Sequence, residues 1–244
     1  MSKLSELRIK NLELARKAVK DSVNPDLFII NSINNIEELQ RIINLMTKRL
    51  REWYSLYFPE LDKKIHDNQA FVKLILKKDK KSLLKELKIK KSMGYELKKQ
   101  DLEPMLSVAK IVNGLIKEKE SLGKYLEKTM KFYCPNTLTL AGALIGAKLL
   151  KGAGSLKKLA MMRSSTIQLL GAEKALFRHI RTGAKPPKHG HILKHSLVQK
   201  AKKSDKGRAA RALADKIFIV ARTDYFKGKY IADKLLKELE VRFK

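Results

Sequence analysis

Several things are scarce in this chain of 244 residues, and each scarcity excludes something. Cys134 is the only cysteine, so no intrachain disulfide can form and a cytoplasmic setting fits. No apolar run approaches the roughly 20 residues that a membrane-spanning helix needs, so no membrane partner is expected. Met1 to Lys20 is charged throughout and lacks the apolar centre of a signal peptide. Alternation of β-branched and polar residues is rare, which argues against strands. Acidic residues are the most telling shortage: 25 Asp plus Glu stand against 54 Lys plus Arg, a formal net charge of +29.

That imbalance points to a polyanionic partner. A heat-resistant surface pairs its lysines with comparable numbers of glutamates, and here the acids are too few. The excess is steepest toward the C-terminus. Residues 148–244 hold 25 Lys plus Arg against 7 Asp plus Glu, and residues 1–147 hold 29 against 18. A field of this sign recruits nucleic acid. Hydrophobic residues make up 44% of the chain, enough for a packed core of one or two domains.

Two long helical patterns dominate the first half. Between Asn24-Pro25-Asp26 and Phe58-Pro59 there is no proline. Ile29, Ile33, Ile36, Ile43 and Leu50 make one stripe there, with Leu39, Met46 and Trp53 beside it. A helix of about 30 residues, some 45 Å long, is predicted. A second runs from Asp101 to Tyr133, with Pro104 in its first turn and Cys134-Pro135-Asn136 as its stop. Met105, Ala109, Val112, Ile116, Leu126, Met130 and Tyr133 form its main stripe; Val108, Ile111, Leu115, Leu122 and Phe132 form another. The two helices are expected to pair as an antiparallel hairpin. Their double stripes leave enough apolar surface for a second copy, so a dimerising coiled coil is expected, with Val112, Ile116 and Leu126 at its interface. Residues 61–100 should form short helices capping the far end, and the lysine-rich stretch 77–91 is a solvated face or an RNA contact. The fold class is thus all-α. Residues 1–25 read as an N-terminal linker, 26–135 as the dimerisation hairpin and 136–244 as a compact helical domain, opened by small residues such as Ala141, Gly142, Gly146 and Gly152.

The most informative segment is Ser164–Arg178. Its apolar run stops at Gly171, and an amphipathic pattern begins with Ala172, Glu173 and Lys174 and carries Arg178 one turn on. A glycine break before a helix start exposes backbone N–H groups and the positive end of a helix dipole, which can hold a phosphate. Gly171 is expected in a conformation that side chains resist. The basic loop 182–206 adds Lys188, His189, Lys194 and His195, and the helix after it carries Arg208, Arg211 and Lys216. Phosphate contact is the default role for such cations.

Enzyme signatures are weak. Gly142-Ala-Leu-Ile-Gly146-Ala-Lys148 lacks the spacing and the Gly-Lys-Ser/Thr ending of a phosphate-binding loop. Gly152-Ala-Gly154 lacks a third glycine and a preceding strand. His189, His191 and His195 lie close together, but no cysteine or carboxylate completes a zinc set, and loop histidines in a basic segment more often stack on or hydrogen-bond to RNA. No acid–base pair suggests catalysis, and no cofactor or metal is implied.

Arg51-Glu-Trp-Tyr-Ser-Leu-Tyr-Phe-Pro-Glu-Leu61, Gly152-Ala-Gly-Ser-Leu156, Gly171-Ala-Glu-Lys-Ala-Leu-Phe-Arg178, Ala212-Leu-Ala-Asp-Lys216 and Ala221-Arg-Thr-Asp224 occur in that order. Together they resemble the archaeal Nop proteins, core scaffolds of box C/D guide-RNA methylation particles, over about residues 5–225. The resemblance implies a homodimerising coiled coil. It also implies a C-terminal Nop domain that binds RNA jointly with a kink-turn-binding ribosomal protein. The family's N-terminal domain docks fibrillarin, the methyltransferase, and this sequence is expected to begin after it. One departure concerns a histidine that follows a Gly-x-Ile-Tyr run in the family. Here Gly190-His-Ile-Leu193 is followed by Lys194 and then His195, so the stacking position is Lys194, or His195 by a small shift. The residue pattern by itself also fits a basic dimeric RNA-binding protein outside the methylation machinery.

Overall fold

The structure, a computed structural model, describes residues 3–243; Met1, Ser2 and Lys244, which the segments 1–25 and 136–244 include, lie outside the described residues. Fourteen α-helices and one 3-10 helix occur among the described residues, with no strand. The chain divides into two compact units. One holds the residues up to Ile33 and from Tyr125 onward; the other is Asn34–Lys124. These boundaries fall inside the two long helices rather than at the proline breaks near 25 and 135.

The segment 1–25, expected as a linker, contains a 20-residue helix, α1 (Lys3–Ser22). Its Leu, Glu, Lys, Arg and Ala residues are good helix formers. Its apolar side chains stay exposed, which is why no burial pattern betrays it. The long helices are α2 (Pro25–Tyr54) and α6 (Lys99–Tyr133), close to their predicted bounds. Pro104 lies beyond the first turn of α6, because the helix starts at Lys99.

The unit 34–124 is built on the inner stripes. Ile43 and Leu50 of α2 and Met105, Ala109, Val112 and Ile116 of α6 are buried in one cluster. Lys119 Nζ donates to Gln40 Oε1 at 2.9 Å across the pair. Three short helices, α3 (Pro59–Lys64), α4 (Asn68–Lys77) and α5 (Lys80–Glu86), close this unit with Leu61, Phe71, Val72, Ile75 and Leu83. Arg51 ties them to α2. Its guanidinium donates to Asp62 Oδ1 at 2.7 Å, to the Ile65 and His66 carbonyls and to Asn68, and it lies 4.3 Å from the Phe71 ring centre. The arginine that opens the first family-like motif is therefore a structural staple.

The dimerisation residues expected from the pattern are corrected here. Val112 and Ile116 are buried in this unit, and Leu126 is buried in the other, so one chain already covers them. The apolar surface left uncovered on this unit's long helices is Ile42, Leu45 and Trp53 on α2 and Ile111 on α6.

The larger unit packs the helices α7 (Pro135–Ala141), α8 (Ala143–Ala153), α9 (Leu156–Met161), α10 (Ser164–Leu169), α11 (Glu173–Thr182), α12 (Ser196–Lys200), α13 (Lys206–Tyr225) and α14 (Ala232–Arg242), with a 3-10 turn at His191–Lys194. The helix α13 is central: Ala209, Ala210, Leu213, Ala214, Ile217, Val220 and Ala221 are all buried. Its Asp224 accepts from the N–H groups of Asn136 and Thr137 at 3.1 and 2.7 Å and from both of their side chains. That satisfies the otherwise unpaired first turn of α7. Asn136 in turn accepts from Ile231 and Ala232 N–H, fixing the start of α14. Asp26 is buried and accepts from Leu156 N–H at 3.0 Å; burial raises its pKa, with the Leu156 and Tyr133 hydrogen bonds opposing. Gly154 ends α8 at φ +85°, and Ser155 caps α9 through Lys158 N–H. The other family-like motifs thus also carry architecture.

Candidate nucleic-acid interface

The Gly171 turn links α10 to α11. Gly171 sits at φ +88°, and a Cβ there would lie 2.5 Å from the His191 ring. The expected glycine-only conformation is present. The expected free N–H groups are not all free. Gly171 N–H donates to Glu173 Oε1 at 2.6 Å, and Ala172 N–H donates to the Leu169 carbonyl at 2.8 Å. The helix dipole is met by the chain's own carboxylate. Burial pushes the Glu173 pKa up, but hydrogen bonds from Gly171 and from its own N–H, with the His191 charge nearby, outweigh it and hold it below the usual range.

The loop after α11 returns to this turn. Gly183, at φ +66°, ends the helix. Farther on, Gln168 Nε2 donates to the Lys188 carbonyl at 2.6 Å, Gly190 N–H to the Gln168 carbonyl at 2.8 Å and His191 N–H to the Leu170 carbonyl at 2.7 Å. Gly190 is required for this approach, since a Cβ would meet the Leu170 carbonyl. Lys188 runs past the start of α13, its Cδ 3.9 Å from where a Cβ on Gly207 would stand. The structure therefore gathers Gly171, Ala172, Glu173, Lys188, His189 and the Arg208 end of α13 around one turn. His191, one of the three loop histidines that the sequence offers as a zinc ligand or an RNA contact, lies at its centre. No local pattern marks it, because its position comes from backbone bonds between segments 20 residues apart.

Other predicted residues are placed differently. Lys174 and Arg178 are exposed on α11, and Lys194 is exposed on the 3-10 turn. His195 points inward. It caps α12 by accepting from Leu197 N–H at 3.3 Å and hydrogen-bonds the Leu140 backbone. Burial lowers its pKa, opposed by the Leu140 bond. Its ring is thus engaged by the fold as a cap. Lys216 is half-buried and donates to Glu238 Oε2 at 2.6 Å, so it too serves the fold. Arg208 and Arg211 line a cleft of about 790 Å³ with Lys200, Lys202 and Arg242. The Arg242 contribution, from α14, was not foreseen. Among the described residues no group of three His, Cys, Asp or Glu side chains could hold a metal ion, and no helix is long and apolar enough to cross a membrane.

The helix α11 has a second feature that its sequence conceals. Leu176, Phe177 and Ile180 follow helical spacing and would ordinarily mark a core face. Yet α11 has no buried residue, and Phe177 and Ile180 are 61% and 68% exposed. Cations and apolar side chains are thus displayed together beside the Gly171 turn.

Comparison with known proteins places the chain in a family. The family described as "Nop: snoRNA binding domain, fibrillarin" matches residues 35–244. An uncharacterized NOP5 family protein of Methanocaldococcus jannaschii is 45% identical, over 94% of this chain and 59% of its own length. Nucleolar protein 58 of Aspergillus fumigatus is 38% identical over 86% of this chain and 39% of its own. Nucleolar protein 56 of Homo sapiens is 36% identical over 93% and 42%. The chain thus spans between about two fifths and three fifths of the length of these relatives. The crystal structure of a fibrillarin/Nop5p complex contains a similar chain, with a TM-score of 0.58 and 23% identity over 98% of this chain and 77% of that one, a likeness of fold. With the family matched from residue 35 to residue 244, this chain belongs to the Nop family.

Proposed function

We propose that this chain is a non-catalytic RNA-binding scaffold of a box C/D-type ribonucleoprotein. In this reading it recognises kink-turn guide RNA together with the kink-turn-binding ribosomal protein. It self-associates through its hairpin and sets the position of fibrillarin for guided 2'-O-methylation. The chemistry belongs to the partner.

The observation that carries the reading is α11. Lys174 and Arg178 stand at i and i+4, where they share a face, while Phe177 and Ile180 remain exposed. A helix with no fully buried residue, and with Phe177 and Ile180 open to solvent, is available to a composite surface. Cations suit phosphates, and exposed apolar side chains suit a protein already seated on the RNA. Such a surface is complete only after the first protein has bound. Because Glu173 fills the anion position at the helix start, phosphate contacts fall to Lys174, Arg178, Lys188, Arg208 and Arg211 rather than to free N–H groups.

The test is a gel shift with box C/D RNA, with and without the ribosomal protein. Tight binding only in its presence, lost on Phe177→Glu with Ile180→Glu and weakened by Lys174→Ala with Arg178→Ala, is the expected result. Equal binding to RNA alone in the wild type and all variants would overturn it.

A further inference from the structure

The stretch 77–99 carries a surplus of positive charge that its own acids do not offset. Each of its three carboxylates has a partner within the stretch, Glu96 from a fully exposed position. Asp79 caps α5 through Ser82 N–H, Glu86 pairs with Lys78 at 2.5 Å, and Glu96 pairs with the buried Lys80 at 3.7 Å. Lys88, Lys90, Lys91, Lys98 and Lys99 are exposed. Lys88 holds φ +52°, a conformation that side chains rarely adopt.

Two large apolar side chains stand out of this basic surface. Met93 is 92% exposed and Tyr95 is 74% exposed. The backbone beneath them is pinned at every step. Glu60 accepts from Met93 N–H at 2.7 Å and from Ser92 Oγ at 2.9 Å. Ser92 Oγ accepts from Gly94 N–H at 3.1 Å, and Tyr95 N–H donates to the Leu56 carbonyl at 2.8 Å. Gly94 lies so close to Tyr57 that a Cβ would fall 2.1 Å from its carbonyl oxygen. The fold therefore fixes the backbone from which these side chains project and keeps them out of the adjacent core.

An exposed ring on an ordered backbone among cations matches one chemistry well. An unpaired base stacks on the ring while ammonium groups take the flanking phosphates, and a preordered backbone lowers the entropic cost. A duplex offers no free base face, and a protein partner would find two apolar side chains in a field of lysines. We propose that Met93 and Tyr95, flanked by Lys90, Lys91 and Lys98, form a stacking platform for single-stranded RNA on the unit 34–124, separate from the Gly171 surface.

The test uses the full chain in a Lys174→Ala, Arg178→Ala background, so that the Gly171 surface is read separately. A fluorescent 12-nucleotide oligouridine carrying 4-thiouridine reports affinity by anisotropy and contact by photo-crosslinking. Crosslinks are expected within residues 90–99. Tyr95→Ala should remove them and weaken single-strand binding about tenfold, with the thermal midpoint and duplex binding unchanged. Tyr95→Phe should bind like the parent. Crosslinks confined to other regions, unchanged binding by Tyr95→Ala, or equal losses from Ala and Phe would each overturn the platform. None of these outcomes bears on joint recognition with the ribosomal protein.

Discussion

Glu173 stands where a phosphate would otherwise meet the start of α11, accepting from Gly171 N–H at 2.6 Å. Neutralising it with Glu173→Gln weakens that bond and lifts a repulsion. RNA binding without the ribosomal protein should rise, while stability should fall by about 0.5–1 kcal/mol, read by gel shift and thermal melting. Because the Glu173 pKa is held low in the fold, its contribution is present above the ordinary carboxylate range and is lost as pH falls through the lowered value. Gly171→Ala faces both a positive φ and the His191 ring, and should cost about 1–2 kcal/mol. His195 behaves in the same direction for a different reason. Its burial favours the neutral ring, so its support is complete above the ordinary value near 6.5 and is lost as pH falls through the lowered one. The melting temperature should fall on acidification from pH 7 to 5, and His195→Asn should flatten that slope. A stabilising change is available at Thr47, whose buried hydroxyl has no hydrogen-bond partner. Thr47→Val should add about 1 kcal/mol in denaturant melts.

At the level of the helix, periodicity carried most of the architecture. The stripe Ile29–Leu50 and the stripe from Met105 to Met130 are buried as their spacing requires, with Tyr133 half-buried at the end of the second, because large apolar residues every third or fourth position can hide only on one helical face. The same rule misled where it assigned Val112, Ile116 and Leu126 to a second copy, since periodicity says that a face is covered and not by which chain. It is silent on Phe177 and Ile180, which follow helical spacing and yet stay exposed. The helix α1 escaped notice for the converse reason: strong helix formers with no covered face produce no contrast. The return of residues 188–191 to the Gly171 turn was illegible because backbone hydrogen bonds leave no side-chain pattern. These distinctions have measurable consequences. Ile116→Glu would bury a charge inside one chain and should destabilise it by about 3 kcal/mol or more, visible as lost helicity. Leu45→Glu with Ile111→Glu, on exposed positions, should leave helicity intact and lower the mass in light scattering if the hairpin self-associates. A full-mass dimer in that double variant would move the self-association surface elsewhere.

On the scale of the whole molecule, the net charge of +29 makes attraction to RNA unavoidable and therefore uninformative about where RNA sits. Location has to come from the difference between cations that are occupied and cations that are available. Lys216 is held by Glu238 and Arg51 by Asp62, whereas Lys174, Arg178, Lys188 and Arg211 are exposed, and Arg208 has only an exposed pairing with Asp205. An exposed pair of that kind contributes little and yields readily to a phosphate. Five phosphate contacts on a duplex stem would give a log–log salt slope of about −4.5, roughly a 500-fold loss of affinity between 50 and 200 mM salt. Each single alanine substitution among the five should make the slope shallower by about 0.9. Lys216→Ala is the decisive control, since it removes the same formal charge from the same helix as Arg211→Ala. It should leave the slope of the complete RNA–protein complex unchanged and lower the melting temperature instead, because its partner is Glu238 and not RNA. Equal slopes for the Lys216 and Arg211 variants would mean that the complex reads total charge rather than the surface around the Gly171 turn.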